Sequence, residues 1–466
     1  MLMRNAALLL LLLIYLLFAS IYNLSVPIGE GPDEAGHFRY VLFLASEGRL
    51  PVQRAEAKES DVPGEGHQPP LAYALATAAV AWLPAEEHVL EMSANSNFVW
   101  SGGDEPGAFH RGSREYWPFS PQIRAWHLTR AINMLWGLVT IICTYQAARV
   151  LMGQGSGFRT QNSEGRVRHR WCGNMVPMLA AGLVAFNPQF LFMSALVSND
   201  ALLTALGAVV LWLALAQEPR AKNQRTKDIA YSIALGAVFG LALLTKQSAL
   251  LLGPLLLWAG WRASGGHLAS FIRYSLTWGS TALAVAGWWY LRNWQLYGDL
   301  FGLGAFKAEF STQPFDWQRV EAWLGGILQL FASFWARFGW MSLPAPRWML
   351  TIYAVIGVAA FVGLIRWAAA GQREPGVRSQ ESGVRSQESG EQWDSFFRSP
   401  RFGLTLPIGM ALLWIVSFAL TAGLVAWQGR LLFPALSAIA IGMALGLSEV
   451  VARLNWLLSA TRGHRA

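Results

Sequence analysis

The stretch GPDEAGHFRYVLFLASEGRLP places Asp33 beside Glu34, with His37 four residues after Asp33. A carboxylate here can accept a proton from an attacking hydroxyl. On a helix, Asp33 and His37 share a face, which offers a divalent metal two ligands, short of a full set. The plainer reading is that two acids in a first turn complement the helix dipole. Farther on, His67 and Gln68 precede Pro69 and Pro70, a rigid turn that holds polar side chains at a helix start. Lys246, in GLALLTKQSALLLGP, separates two apolar runs. An ionisable residue there is costly enough to suggest function, with snorkelling to the interface as the alternative. Arg292 in WWYLRNWQLYGD and Arg430 in WQGRLLFP suit an anionic partner such as a lipid phosphate, or else an internal carboxylate. Asp200, after Ser198 and Asn199, reads first as part of a helix cap and ranks below Asp33.

The rest of the chain must hold these residues at a lipid boundary. Of 466 residues, 54% are hydrophobic and 14% charged, with 23 Trp and 25 Phe, which is too apolar for a soluble protein of this length. The composition predicts an all-α polytopic membrane protein. Runs able to span lie near 6–22, 127–150, 175–196, 200–217, 229–245, 247–261, 274–291, 348–367, 403–424 and 431–450, about ten transmembrane helices. The first, without a cleavage-like site after it, reads as a retained signal anchor. The net charge of +8 sits mainly in short loops, where orientation in lipid explains it, and no nucleic-acid partner is assigned. Cys143 and Cys172 lie in unlike settings and form no zinc or disulfide pattern.

Arg159, Arg166, Arg168 and Arg170, then Arg220, Lys222, Arg225 and Lys227, mark cytoplasmic loops by the positive-inside rule. Both termini are then cytoplasmic, and residues 26–126 form a large, acid-rich extracytoplasmic loop. A second outer loop covers residues 292–347, and residues 368–402 form a cytoplasmic loop in which GVRSQES occurs twice in tandem, a low-complexity linker. Between Pro69 and Pro84 a helix would be only ~21 Å long, so this segment reads as interfacial or re-entrant. In the helix that follows Asp33, Phe38, Val41, Leu42 and Ala45 form a stripe suited to the membrane surface.

Together GPDEAGHFRYVLFLASEGRLP, HQPPLAY, RAINMLWGLVTIICTYQAARVL, GLALLTKQSALLL and YLRNWQLYGD resemble the GT-C superfamily of integral-membrane glycosyltransferases. The nearest type is the polyprenyl-phosphate-sugar-dependent, protein-mannosyltransferase and aminoarabinose-transferase group. NPQFLFMSALVSNDAL and WQGRLLFP also resemble a bacterial membrane family within or beside that superfamily. The resemblance implies juxtamembrane helices in the first outer loop, Asp33 as catalytic base, Glu34 as its acidic neighbour, and Lys246 and Arg292 as phosphate contacts. Arg430, outward-facing by the same topology, joins that cationic set. The implied partners are a polyprenyl-phosphate-linked sugar donor and the bilayer, with inversion at the sugar. The chain lacks the large soluble C-terminal domain of some GT-C enzymes and shows no full metal-ligand set, leaving a divalent metal and the acceptor open.

The expected activity is therefore sugar transfer to an acceptor hydroxyl at the outer face of the plasma (inner) membrane. A transporter or flippase also fits ten spans, but paired halves with interrupted spans are not visible in the sequence. A non-catalytic envelope-assembly protein of the same fold is the third reading.

Overall fold

The computed structural model describes residues 2–54, 56–84, 89–90, 92–98, 107–153, 168–217, 225–304, 318–370, 397–422 and 427–463. The GVRSQES repeat and most of the arginine-rich loops used for sidedness lie outside the described residues.

The chain is an all-α polytopic membrane protein, with two short antiparallel hairpins as its only strands among the described residues. A helix occupies each predicted apolar run. They are α1 (Leu2–Ser25), α4 (Pro121–Gly153), the pair α5 (Arg168–Ala185) and α6 (Pro188–Ser194), α7 (Asp200–Ala216), α8 (Arg225–Leu243) and α9 (Gly253–Ser264). After them come α10 (Leu268–Tyr297), α12 (Arg347–Ala370), α13 (Pro400–Ala422) and α14 (Leu436–Gly463). Among the described residues, five helices are long and apolar enough to cross a membrane, or up to six if the pair α5 and α6, bent by 61°, counts as one. Asn187 caps α6 by accepting from the Phe190 amide at 2.9 Å, and Pro188 occupies its first turn, so the chain turns sharply there.

The segment between α1 and α4 contributes α2 (Glu34–Glu47) and α3 (Leu71–Thr77). Helix α3 has 7 residues, about 10 Å of rise, and cannot cross the bilayer. The apolar stripe of α2 is used differently from the expectation. Phe38, Val41 and Leu42 are buried in a protein core with Tyr73, Trp126 and Val197, and the Phe38 and Trp126 rings lie 4.0 Å apart. Burying these aromatics between α2, α3 and α4 removes their apolar surface from water and fixes this segment to the bundle.

Residues 292–347, expected as one loop, include parts of two helices. Helix α10 runs on to Tyr297, where Gly298 ends it with φ +65°, so Arg292 lies within a helix. Residues 320–335 form a further apolar helix, α11 (Val320–Trp335), with Leu324, Ile327 and Leu328 exposed on one side. At 16 residues it is ~24 Å long, too short to cross upright, so its exposed apolar face needs an interfacial or inclined seat.

Candidate functional site

The position of Asp33 is set by its neighbour. Glu34 is fully buried and held bidentately by Arg130 of α4, Nε to Oε1 at 2.7 Å and Nη2 to Oε2 at 2.8 Å. Trp126 Nε1 and the Val197 amide donate to the same carboxylate at 3.1 and 3.0 Å. Arg130 spends its remaining donors on the carbonyls of Asn23, Val26 and Pro27, at 2.8, 2.8 and 3.0 Å. Burial raises the Glu34 pKa, but the charge and hydrogen bonds of Arg130 outweigh it and hold the carboxyl below the usual range. Glu34 thus ties together the end of α1, the start of α2, α4 and the turn before α7. It does not line the site as the catalytic neighbour expected from the sequence.

Asp33 is left at the mouth, with its side chain 43% exposed. It is the N-cap of α2, yet its φ of +62° lies in the left-handed region and its side chain makes no cap bond. A non-glycine residue held there costs of order 1 kcal/mol and is a mark of functional sites. The carboxylate instead accepts from Arg430 Nη2 at 2.7 Å. Burial raises the Asp33 pKa, and the charge and hydrogen bond of Arg430, helped by His37 and Lys246, outweigh it and keep the group ionised.

Arg430 and Lys246 share a second carboxylate, Asp200. Lys246 Nζ donates to Asp200 Oδ1 at 2.5 Å, and Arg430 Nη1 lies 3.7 Å from Oδ2. Asp200 therefore does more than begin α7, because it is the centre of a row of alternating charge from Asp33 through Arg430 and Asp200 to Lys246. Arg430 is further oriented by Gln428, which accepts from its Nε at 2.7 Å. The loop carrying it packs on α11, where the Gly429 amide donates to Ser333 Oγ at 2.8 Å. A Cβ at Gly429 would meet the Phe334 backbone nitrogen at 2.0 Å. Gly429→Ala should accordingly displace Arg430 and lower both stability and any activity of the site, by about 1 to 3 kcal/mol in melting free energy. Wild-type melting and ligand binding in this variant would show that the loop tolerates the shift.

Beneath this row lies a neutral polar network. His37 Nδ1 is 2.8 Å from the Tyr73 hydroxyl and 3.5 Å from Glu65 Oε2. Asn199 Nδ2 donates to the Tyr73 hydroxyl at 3.2 Å and to Gln68 Oε1 at 3.3 Å. Tyr73 stacks on Tyr40 with ring centroids 4.0 Å apart. Burial lowers His37 to about 4 and raises Glu65 to about 8, the latter helped by Asp33 and Asp200 against Lys246 and Arg430. Both groups are uncharged near neutrality, so their contact is not an ion pair. A carboxyl whose folded pKa exceeds its unfolded value stabilises most below the unfolded value and loses that contribution up to the folded one. The melting temperature of Glu65→Gln minus that of the wild type should therefore grow from pH 5 to pH 8 and level off above. A difference independent of pH would overturn the assignment of a neutral Glu65.

Of the residues singled out in the sequence, Asp33, His37, Gln68, Asp200, Lys246 and Arg430 come together. His67 is buried nearby at the turn before α3, and burial lowers it to about 4. Arg292 does not join the row. Its Nη2 donates to the Pro51 carbonyl at 2.7 Å and its guanidinium lies over Trp289, which fastens α10 to the loop after α2. Glu65, Tyr73, Asn199 and Arg130 were missed. The only sequence signal for Arg130 was a charge at the outer end of an apolar run, and for Glu65 its closeness to His67. No group of three or more His, Cys, Asp or Glu able to hold a metal occurs among the described residues.

Residues 167–290 match the model of the dolichyl-phosphate-mannose-protein mannosyltransferase family. Over these residues the chain is similar to that family. The matched segment includes Asn199, Asp200 and Lys246, and it agrees with the resemblance carried by the motifs. Among solved structures, ArnT from Cupriavidus metallidurans in the apo state is 15% identical, covering 96% of this chain and 76% of that chain with a TM-score of 0.42. ArnT from the same organism bound to undecaprenyl phosphate is 14% identical, covering 96% and 77% with a TM-score of 0.41. No curated protein matches the chain.

Proposed function

We propose that the protein transfers a sugar from a polyprenyl-phosphate carrier to an acceptor hydroxyl, at the extracytoplasmic face of the membrane and with inversion. The observation that carries this reading is the row of Asp33, Arg430, Asp200 and Lys246, which sets a partly exposed carboxylate against two cations at the ends of apolar helices. Asp33 takes the acceptor's proton as its oxygen attacks the anomeric carbon. The bond from that carbon to the phosphate oxygen breaks, and the phosphate leaves with the electron pair. Arg430 and Lys246 neutralise the departing polyprenyl phosphate. Displacement from the opposite face in one step inverts the anomeric centre.

The resting contacts suit such a cycle. Arg430 is engaged by Asp33 and Asp200 until a phosphate competes for it, and losing that partner raises the basicity of Asp33 when a proton must be taken. An apolar groove of about 670 Å³, lined by Leu11, Met178, Phe186, Trp335 and Tyr353, includes Trp335 of α11, the helix whose Ser333 holds the loop of Arg430, and is a seat for an isoprenoid chain. A second groove, of about 740 Å³ between α12 and α14, touches none of these residues and plays no part in this reading. The arginine and lysine distribution supports an extracytoplasmic site. Undecaprenyl phosphate binding by the purified protein tests the reading. Arg430→Gln and Lys246→Met should each weaken it about 10- to 150-fold, the range for charge-assisted contacts, whereas Arg292→Gln should change it by less than about threefold. Equal weakening by all three would return Arg292 to the phosphate site, and no binding by the wild type would overturn the carrier.

A further inference from the structure

Three buried acceptor atoms in the network under Asp33 have no hydrogen-bond donor: Glu65 Oε2, Asn199 Oδ1 and Asp200 Oδ2. They belong to one polar network, because the contacts run from Asn199 through Tyr73 and His37 to Glu65, and Asp200 follows Asn199 in the chain. Buried acceptors without donors are rare, and each leaves a desolvation cost unrecovered. Glu65 is also closely held. A Cβ at Gly36 would meet Glu65 Cγ at 2.8 Å, and Glu65 is only 13% exposed.

The missing donors have a definite chemistry. A phosphate supplies only acceptors and cannot satisfy these three atoms; its place is on Arg430 and Lys246, the cations that flank Asp33 and Asp200. A cation is not called for, because Arg430 and Lys246 already balance those two carboxylates and Glu65 carries no charge near neutrality. What remains is a neutral ligand with several hydroxyls arranged close together. The geometry points to Glu65, Asn199 and Asp200 as the subsite that binds hydroxyls of the transferred sugar, with His37 and Tyr73 fixing Glu65 and Asn199 in place. This rests on the proposed carrier-dependent transfer and deepens it. Arg430 and Lys246 hold the phosphate, and the polar network beside them binds the sugar, with Asp200 at the boundary of the two, so that the anomeric carbon lies near Asp33. An uncharged carboxyl also offers the sugar both a donor and an acceptor, where an ionised one would only accept.

The test compares binding of bare undecaprenyl phosphate with that of the same carrier loaded with mannose, glucose or arabinose, using the full-length protein in detergent. The wild type should bind at least one loaded carrier about tenfold more tightly than the bare one. Glu65→Ala and Asn199→Ala should each remove about 2- to 10-fold of that preference, the range for one neutral hydrogen bond, and leave the bare carrier within about twofold. Glu65→Gln keeps a neutral side chain that can donate and accept, and should stay within about threefold of the wild type. The inference is overturned if no loaded carrier binds more tightly than the bare one. It is also overturned if the alanine variants weaken bare and loaded carriers alike, which would mean that they act through Arg430 and Lys246, or weaken neither, which would mean that water satisfies these acceptors. Failure of the wild type to bind the bare carrier and every loaded one would overturn the carrier reading itself, an outcome distinct from equal binding of bare and loaded carriers.

Discussion

Asp33→Asn should lower sugar transfer by about 10²- to 10⁴-fold, the usual contribution of a general base, while the protein folds and still binds its carrier. Asparagine is the informative substitution because it tolerates the left-handed backbone that Asp33 adopts, φ +62°, almost as readily as aspartate. The change removes the charge and little else. Alanine at this position would add backbone strain, and its effect on turnover would be mixed with an effect on the start of α2. The Asp33 side chain is 43% exposed, so losing its ion pair with Arg430 should cost little stability. Turnover of purified Asp33→Asn at saturating donor, read beside its melting temperature, decides the matter. Wild-type turnover would remove Asp33 from the chemistry, and a collapse in melting temperature would make it a structural residue.

Arg130→Met should have the largest effect on stability, about 3 to 5 kcal/mol, because it strands Glu34 as an unpaired carboxylate at a site with no solvent exposure. It also removes the donors to the carbonyls of Asn23, Val26 and Pro27. The double variant Arg130→Met with Glu34→Met should recover much of that loss, since replacing both charges by apolar groups leaves nothing unpaired. Thermal unfolding of the two single variants and the double variant forms the cycle that measures the coupling. Additive losses would show that the two residues act independently, and a stable but inactive Arg130→Met protein would mean that Glu34 takes part in catalysis.

Composition and apolar run lengths were enough to establish the all-α membrane architecture, because a bilayer admits few solutions and ~20 apolar residues are a long signal. The prolines around residues 69–84 likewise limited that segment to a short helix, and α3 is shorter still. Asp33 was legible as a residue of interest because a carboxylate at the lipid boundary can take a proton from an attacking hydroxyl and because its motif carries the GT-C resemblance, although acids at a helix start are common. The stripe of α2 was read for its face but not for its partner. Periodicity says that Phe38, Val41 and Leu42 point one way, and whether lipid or protein lies there depends on Trp126 and Tyr73, which come from elsewhere in the chain.

The pairings were decided only by the tertiary structure. Arg430 meets Asp33 across nearly the whole chain, and Lys246 meets Asp200 across two helices. In the sequence, Lys246, Arg292 and Arg430 are equivalent, each an isolated cation next to an apolar run. Folding separates them, sending Arg292 to a backbone carbonyl and the other two to carboxylates. Glu34 and Asp33 are adjacent acids, yet one is sealed against Arg130 and the other stands at the mouth. The physical reason is that charge, hydropathy and helical period are properties of a residue and its near neighbours in sequence. Which opposite charge satisfies a buried ion, and which buried acceptor is left without a donor, depends on contacts between segments far apart in sequence.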